Sequence, residues 1–111
     1  FRRVLFRSDE KFSEKFLDAT KKSGEQFWPM PLPQELRASL DSPVADIANI
    51  GERMGGMLVA GLFLKEFVNI PWLHLDIAGP AFNSSKAHGY TPVGGTGVAL
   101  RSLISLFEGD C

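Results

Sequence analysis

Two short patterns place polar side chains where they could do chemistry. The first is His74-x-Asp76 within an apolar run, which puts an imidazole and a carboxylate on the same face of a strand. Such a pair can bind a metal ion or relay a proton. Two ligands are too few for a zinc site, and an aspartate at a strand end more often orients loop amides. We therefore expect a structural role for this pair, and a solvated surface position for His88 in its loop.

The second pattern is the glycine-rich segment Gly94-Gly95-Thr96-Gly97 ahead of a helical repeat of apolar residues. Exposed amides and the helix dipole attract phosphate at such positions. The segment lacks the Gly-Lys-Ser/Thr ending of a P-loop and the spacing of a dinucleotide fingerprint. A tight entry into a helix is the favoured interpretation, with Thr96 capping that helix.

Small residues follow the His74-x-Asp76 strand, in the segment Asp76-Ile77-Ala78-Gly79-Pro80-Ala81. Ligands in open α/β sheets gather outside the carboxyl ends of strands, and small side chains leave room there. The segment therefore predicts either the wall of a pocket or a tight structural turn. Nucleophilic catalysis is not indicated, because the sequence has no Gly-x-Ser-x-Gly motif and its single cysteine, Cys111, has no signature of an activated thiol.

The composition is that of a globular domain. The chain has 111 residues, 44% hydrophobic and 23% charged, with a formal charge of −1. These values argue against a disordered tail, a collagen-like fibre and a basic nucleic-acid arm. No run reaches the roughly 20 apolar residues of a membrane helix. One cysteine cannot form an internal disulfide, so we expect a reducing, cytoplasmic location.

Residues 1–8 are expected to be a non-native leader, and residues 9–111 the folded part. The first eight residues carry three arginines and resemble the translation of a sequencing adaptor. Without those arginines the formal charge becomes −4, which further weakens any surface for nucleic acid.

The elements that position these residues follow from hydrophobic spacing. Residues 9–22 predict an amphipathic helix that ends at Ser23-Gly24, with an apolar stripe of Phe12, Phe16, Leu17 and Ala19. Three prolines in 27–33 predict an extended segment against apolar surface, or alternatively a proline-rich ligand for a partner domain. Pro33 then begins a short helix whose apolar edge is Leu36 and Leu40.

The segment 53–68 is apolar on nearly every side, which predicts a helix in a protein interior. Gly55, Gly56 and Gly61 cost helical stability and so indicate close approach by another element. Residues 72–78 predict a strand, and after Thr96 comes a last helix with apolar Leu100, Leu103, Ile104 and Phe107. One strand cannot complete a sheet alone, so we expect a larger core than this chain supplies.

Several stretches together resemble the carboxyl-terminal part of the leucyl aminopeptidase (cytosol aminopeptidase) family. The most specific are Trp72-x-His74-Leu75-Asp76-Ile77-Ala78-Gly79-Pro80 and Gly95-Thr96-Gly97-Val98 with Arg101. The others are Ser23-Gly24-Glu25 with Phe27-Trp28-Pro29-Met30-Pro31-Leu32, Ser42-Pro43-Val44-Ala45-Asp46 with Asn49-Ile50-Gly51, and Phe63-Leu64-Lys65-Glu66-Phe67-Val68. The resemblance covers residues 9–108 in order and without large gaps.

The resemblance implies an α/β fold, the carboxyl-terminal fragment of an α/β/α sandwich with a mixed sheet, contributing mostly helices and one clear strand. It further implies a cytoplasmic homohexamer that removes amino-terminal residues from peptide substrates with two divalent metal ions, zinc or manganese, and that binds no nucleic acid or membrane. The family's metal ligands and catalytic arginine lie upstream, the arginine in an Asn-Thr-Asp-Ala-Glu-Gly-Arg motif absent here. This chain is therefore expected to be inactive alone, to hold no metal and to carry no catalytic residue.

Three residues carry over to the substrate pocket by this resemblance. Ala78 and Ala81 would border the subsite for the substrate's amino-terminal side chain, and Ile50 the subsite for the next residue. A hypothesis of another class remains open, an autonomous helical interaction module without enzymatic activity that binds a partner through the Trp28 region or the 54–68 helix.

Overall fold

Helix α1 spans Glu10–Ser23 and confirms the predicted amphipathic helix. The structure is a computed structural model that describes residues 3–7 and 9–109. Asp9 caps its amino terminus by accepting a hydrogen bond from the Phe12 amide at 2.7 Å. Gly24 ends it with φ of 74°, a left-handed conformation that favours glycine. Phe16 and Ala19 are buried on its inner face. Local signals alone thus determine both ends of this helix.

A three-stranded mixed sheet forms the centre of the fold. Its strands are β1 (Val4–Arg7), β2 (Trp28–Pro29) and β3 (Leu73–Asp76), in the order β2-β1-β3. Strand β1 runs parallel to β2 and antiparallel to β3, with Leu5 opposite Leu75. The predicted strand at 72–78 and the extended prolyl segment are confirmed, as is a mixed α/β architecture, although the chain contributes more than the one strand expected.

The middle strand comes from the segment expected to be a leader. Val4, Leu5 and Phe6 of β1 are buried, so these three residues pack inside the fold. The interpretation of residues 1–8 as a non-native leader stays a prediction. Phe1, Arg2, Ser8, Asp110 and Cys111 lie outside the described residues.

Two hydrophobic clusters hold the elements together. The first joins the sheet, α1 and the last helix, α3 (Leu100–Gly109), through Leu5, Phe16, Ala19 and Leu106. The second joins a 3-10 helix, Gln34–Leu40, to helix α2, Gly56–Lys65, through Leu40, Val59 and Leu62. The predicted short helix after Pro33 therefore exists, in the 3-10 form.

Helix α2 is shorter than the predicted helix over 53–68. Within this chain only one side of α2 packs on other elements, so its burial in a core larger than this chain supplies stays a prediction. Met54 is 83% exposed and Phe67 is 67% exposed. The close approach predicted at the glycines holds at Gly61, where an added Cβ would lie 3.1 Å from Leu32 Cδ2, and fails at Gly56, which faces open space.

Helix α3 turns much of its apolar stripe outward. Leu100, Ile104 and Phe107 are exposed, while Ser102 and Leu106 are buried towards α1. The helix follows a short antiparallel pair, β4 (Phe82–Asn83) and β5 (Gly94–Gly95). Within the described part of the chain, every helix is too short or too polar to cross a membrane.

Candidate functional site

The carboxyl end of β3 leads directly into the turn that sequence analysis singled out. Asp76 is the last residue of the strand, and its carboxylate accepts a long, 3.4 Å hydrogen bond from the Ala78 amide. The Ala81 amide donates to the Ile77 carbonyl at 2.9 Å and closes the turn. Ala78 is exposed and Ala81 half-buried. The expectation that Asp76 orients a loop amide is met, and the two alanines share one turn.

Thr96 joins this turn to the segment that precedes α3. Its hydroxyl donates to the Pro80 carbonyl at 2.6 Å. Its amide donates to the Ala81 carbonyl at 3.0 Å. The prediction that Thr96 caps the last helix is therefore wrong, because its hydroxyl is committed to Pro80 and the helix begins only at Leu100.

The amino terminus of α3 is capped instead by Glu25, which lies far away in the sequence. Glu25 is 4% exposed. Its carboxylate accepts hydrogen bonds from the Ala99 and Ser102 amides, each at 3.0 Å. A carboxylate at this place satisfies free amides and faces the positive end of the helix dipole. Ala99 has φ of 72°, an uncommon conformation for alanine, and its buried amide depends on this bond.

Glu25 is held in its charged form. Burial raises the pKa of this carboxyl. Hydrogen bonds from the Ser102 hydroxyl, the Ser102 amide and the Ala99 amide together lower the pKa by more than burial raises it, so the pKa lies below its ordinary value. Arg101 adds a guanidinium 4.0 Å from Oε1 and also lies over the Tyr90 ring, 4.1 Å from its centre. Sequence reasoning missed Glu25, because no local spacing links it to a helix more than 70 residues away.

These contacts argue against phosphate binding by the glycine-rich segment 94–97. The amides that a phosphate would need at the start of α3 already donate to Glu25. A second anion would also meet the negative charge of that buried carboxylate. Gly94 and Gly95 form β5, Thr96 binds the turn, and α3 begins only at Leu100. The segment 94–97 therefore leads towards the helix through a short strand and does not form the tight helix entry favoured from the sequence.

His74 contacts two aromatic rings, and the structural role expected for it stays a prediction. Its ring stacks on Phe6 at 5.5 Å and on Trp72 at 5.8 Å between ring centres. Burial lowers the pKa of His74, while the nearby Asp76 carboxylate acts in the opposite direction. The other histidine, His88, is exposed, as expected from the sequence.

Residues 3–7 and 9–109 contain no group of three His, Cys, Asp or Glu side chains that could hold a metal ion. The pair His74 and Asp76 has no third ligand in this part of the chain. A dinuclear metal centre, which would need still more ligands, does not fit the residues described.

Two open cavities lie near the turn. One of about 450 Å³ is lined by Pro80, Thr96, Tyr90 and Arg101 among others, and one of about 760 Å³ lies between α1 and β2, where Trp28 and Lys21 contribute. Neither is lined by Ala78, Ala81 or Ile50.

Ile50 lies in the loop before α2 and is 79% exposed. The next residue, Gly51, packs against Ser39 of the 3-10 helix and against Val59 of the second cluster. An added Cβ would lie 2.6 Å from Ser39 Oγ. The structure thus brings Ala78 and Ala81 together in one turn and anchors Ile50 to the 3-10 helix and α2. The assignment of all three to a substrate pocket stays a prediction.

Comparison with known sequences gives consistent matches over nearly the whole chain. The sequence model of the cytosol aminopeptidase family, catalytic domain, matches residues 2–104. A probable cytosol aminopeptidase from Streptomyces avermitilis is 60% identical over 103 residues, which are 91% of this chain and 20% of the relative. A second from Streptomyces coelicolor is 58% identical over 106 residues, 94% of this chain and 20% of the relative. The chain spans about a fifth of the length of these relatives.

Solved structures share the fold described above. The bottromycin maturation enzyme BotP in complex with Mn superimposes with a TM-score of 0.92 at 40% identity, covering 97% of this chain and 24% of that one. The cytosol aminopeptidase of Coxiella burnetii gives a TM-score of 0.86 at 37% identity, covering 96% and 23%. The arrangement of sheet, helices and turn is therefore that of a segment within larger enzymes.

Proposed function

Because this chain belongs to the cytosol aminopeptidase family, we propose that it is part of an aminopeptidase that removes amino-terminal residues from peptides. Residues 9–111 would form the carboxyl-terminal portion of its catalytic domain. The observation that carries the proposal is the 60% identity over 103 residues to a probable cytosol aminopeptidase. The TM-score of 0.86 to another cytosol aminopeptidase also supports it.

The proposed enzyme uses two divalent metal ions, zinc or manganese. The complex of BotP with Mn supports the choice of manganese. Since the described residues do not fit a dinuclear centre, we place the metal ligands and the catalytic groups outside them and assign no catalytic step to this segment. The segment is then expected to be inactive without the rest of the enzyme.

The contribution of this segment is a wall of the substrate pocket. Ala78 and Ala81 share the turn at the carboxyl end of β3, where ligands gather in α/β sheets. The exposed methyl group of Ala78 leaves room for a substrate side chain. Ile50, a large apolar side chain that is 79% exposed, is available to contact the following residue of the peptide.

We further propose a homohexamer in the cytoplasm, with peptides as substrates and no role for nucleic acid or membrane. The formal charge of −1 supports the exclusion of nucleic acid, because a phosphate-binding surface needs an excess of basic residues. The exposed apolar residues of α2 and α3 support burial against further polypeptide, in the same chain or another.

A chimera tests the proposal directly. This chain would replace the matching 103-residue segment of the Streptomyces avermitilis relative, and hydrolysis of leucyl p-nitroanilide would be measured with and without chelator. We expect kcat/KM within about tenfold of the unmodified relative, loss of activity on chelation, and no activity from the isolated chain. A folded, metal-loaded hexameric chimera without peptidase activity would contradict the proposal.

A second candidate is an autonomous interaction module without enzymatic activity. It is favoured by one observation, the exposure of Met54, Phe67 and Ile70 around α2, at 83%, 67% and 68%. Large exposed apolar groups mark binding surfaces for partners as well as surfaces normally covered by the same protein.

Two measurements distinguish the candidates. The encoding DNA upstream of Asp9 should contain an Asn-Thr-Asp-Ala-Glu-Gly-Arg type motif if the enzyme proposal is right, and an unrelated start if the module is right. Expression of the whole 111-residue chain, which keeps the buried strand β1, gives a physical check by size-exclusion chromatography and near-ultraviolet circular dichroism. A cooperative, well-packed monomer favours the module, and aggregation or loose packing favours the enzyme segment.

A further inference from the structure

The turn that carries Ala78 and Ala81 has little support of its own. It is closed by one backbone hydrogen bond, from the Ala81 amide to the Ile77 carbonyl, and by the long contact from the Ala78 amide to Asp76. A hydrogen bond of 3.4 Å is weak. The position of the turn relative to β3 therefore depends on contacts from outside it.

Those outside contacts come from Thr96, which donates hydrogen bonds to two consecutive carbonyls of the turn. The hydroxyl binds the Pro80 carbonyl at 2.6 Å and the amide binds the Ala81 carbonyl at 3.0 Å. The amide bond continues the pairing of β4 with β5, in which Phe82 lies opposite Gly95. The hydroxyl bond is additional, since a valine of the same shape could keep the backbone pairing but could not bind Pro80.

Thr96 is itself fixed to the core by the residues that follow it. Val98 and Ala99 are buried, and the Ala99 amide is held by the Glu25 carboxylate. Helix α3 then packs on α1 through Leu106 of the first cluster. A continuous set of contacts thus runs from the core, through Thr96, to the exposed Ala78.

We propose that Thr96 is a positioning residue for the substrate pocket, which it serves by holding the Ala78–Ala81 turn in place. The inference rests on the proposed function, because it takes that turn to be the pocket wall. Thr96 does not act on the substrate itself. Its hydroxyl determines how far the wall stands from the peptide's amino-terminal side chain, and so affects binding of large side chains more than small ones.

The test compares Thr96→Val with Thr96→Ser in the full-length chimera. Valine keeps the branched shape and removes the hydroxyl, whereas serine keeps the hydroxyl. For leucyl p-nitroanilide we expect Thr96→Val to raise KM about fivefold, as one lost hydrogen bond implies, with kcat reduced less. The KM for the alanyl substrate should rise less than the KM for the leucyl substrate. In Thr96→Ser both KM values should equal those of the unsubstituted chimera.

A purely structural role would give a different result. It would lower the amount of folded enzyme and leave KM and the leucyl-to-alanyl ratio unchanged in the folded fraction, which would overturn the inference. If Thr96→Val does not fold, Thr96→Ala, which removes the same hydroxyl, is compared with Thr96→Ser on the two substrates. A higher KM for the leucyl substrate in Thr96→Ala than in Thr96→Ser supports the inference, and equal KM values contradict it.

Ala78→Phe in the same chimera separates this inference from the proposed function. If the phenylalanine leaves KM for the leucyl substrate unchanged, the turn is not the pocket wall and the proposed function fails at that point. If it raises KM while Thr96→Val does not, the pocket wall stands and only the positioning role of Thr96 is rejected.

Discussion

One oxygen of the Glu25 carboxylate accepts two hydrogen bonds from Ser102, at 3.0 Å from the amide and 2.6 Å from the hydroxyl, across 77 residues of sequence. The other oxygen binds the Ala99 amide at 3.0 Å. A single buried side chain therefore satisfies the start of α3 and ties it to the end of α1. This relationship determines how the last helix, and with it Thr96, is positioned.

We predict that Glu25→Gln destabilises the start of α3 by about 1–3 kcal/mol. An amide side chain has one acceptor oxygen and cannot serve both the Ala99 and the Ser102 sides. The free energy of local opening should be measured in the chimera by hydrogen exchange of the α3 amides. Glu14→Gln, on the exposed side of α1, is the matched control and should leave those amides unchanged. Equal protection in the two variants would contradict the capping role.

The same carboxylate predicts an acid-sensitive contribution to stability. The pKa of Glu25 lies below its ordinary value of 4.5 in the folded protein. Between the lowered pKa and pH 4.5 the folded state therefore binds fewer protons than the unfolded state. The stability that the Glu25 carboxylate contributes is present above pH 4.5 and is lost as the pH falls through the lowered pKa.

Hydrogen exchange of α3 should therefore accelerate more steeply with acid in the unsubstituted chimera than in Glu25→Gln, after correction for the intrinsic pH dependence of exchange. The difference between the two proteins should shrink as the pH drops below 4.5. A difference that stays constant down to about pH 2 would mean that the ionised carboxylate is not the form of Glu25 that accepts these hydrogen bonds.

Gly61 is predicted to tolerate no branched side chain. An added Cβ lies 3.1 Å from Leu32 Cδ2 and 3.7 Å from Phe6 Cδ2, so Gly61→Val should cost about 1–3 kcal/mol through overpacking. Gly56→Val is the control within the same helix, because nothing lies within 4 Å of its added Cβ. Thermal unfolding of the two chimeras should show a lower midpoint for Gly61→Val alone. Equal midpoints would show that α2 does not pack on β1 in this way.

Ala78→Phe is predicted to impair hydrolysis by obstructing the substrate. In the chimera we expect KM for leucyl p-nitroanilide to rise at least about tenfold, since a phenyl ring would fill space that a substrate side chain needs. Metal content per subunit should be unchanged, because the substituted residue is not a ligand. Ala87→Phe, in the exposed loop after β4, is the control and should leave KM unchanged. Identical kinetics for Ala78→Phe and the unsubstituted chimera would reject the assignment of Ala78 to the pocket.

Local patterns predicted those parts of the fold whose causes lie within a few residues. The apolar spacing of α1 and the Gly24 stop predicted that helix, and alternation predicted β3. The Asp9 cap emerged only from the structure. Burial could not be predicted in the same way. The apolar spacing of α3 pointed to Leu100, Ile104 and Phe107, yet these are exposed and Ser102 is buried. Which side of a helix faces inward depends on the neighbour that covers it.

The sequence by itself determined the family, one helix with its two ends, one strand and the small residues that follow it. Only the tertiary structure showed that Glu25 caps α3 and that Thr96 binds the Pro80 carbonyl instead of capping a helix. The physical reason is separation along the chain. Caps and alternating patterns arise between residues a few positions apart, whereas a hydrogen bond between Glu25 and Ser102 forms only after the core has brought α1 and α3 together.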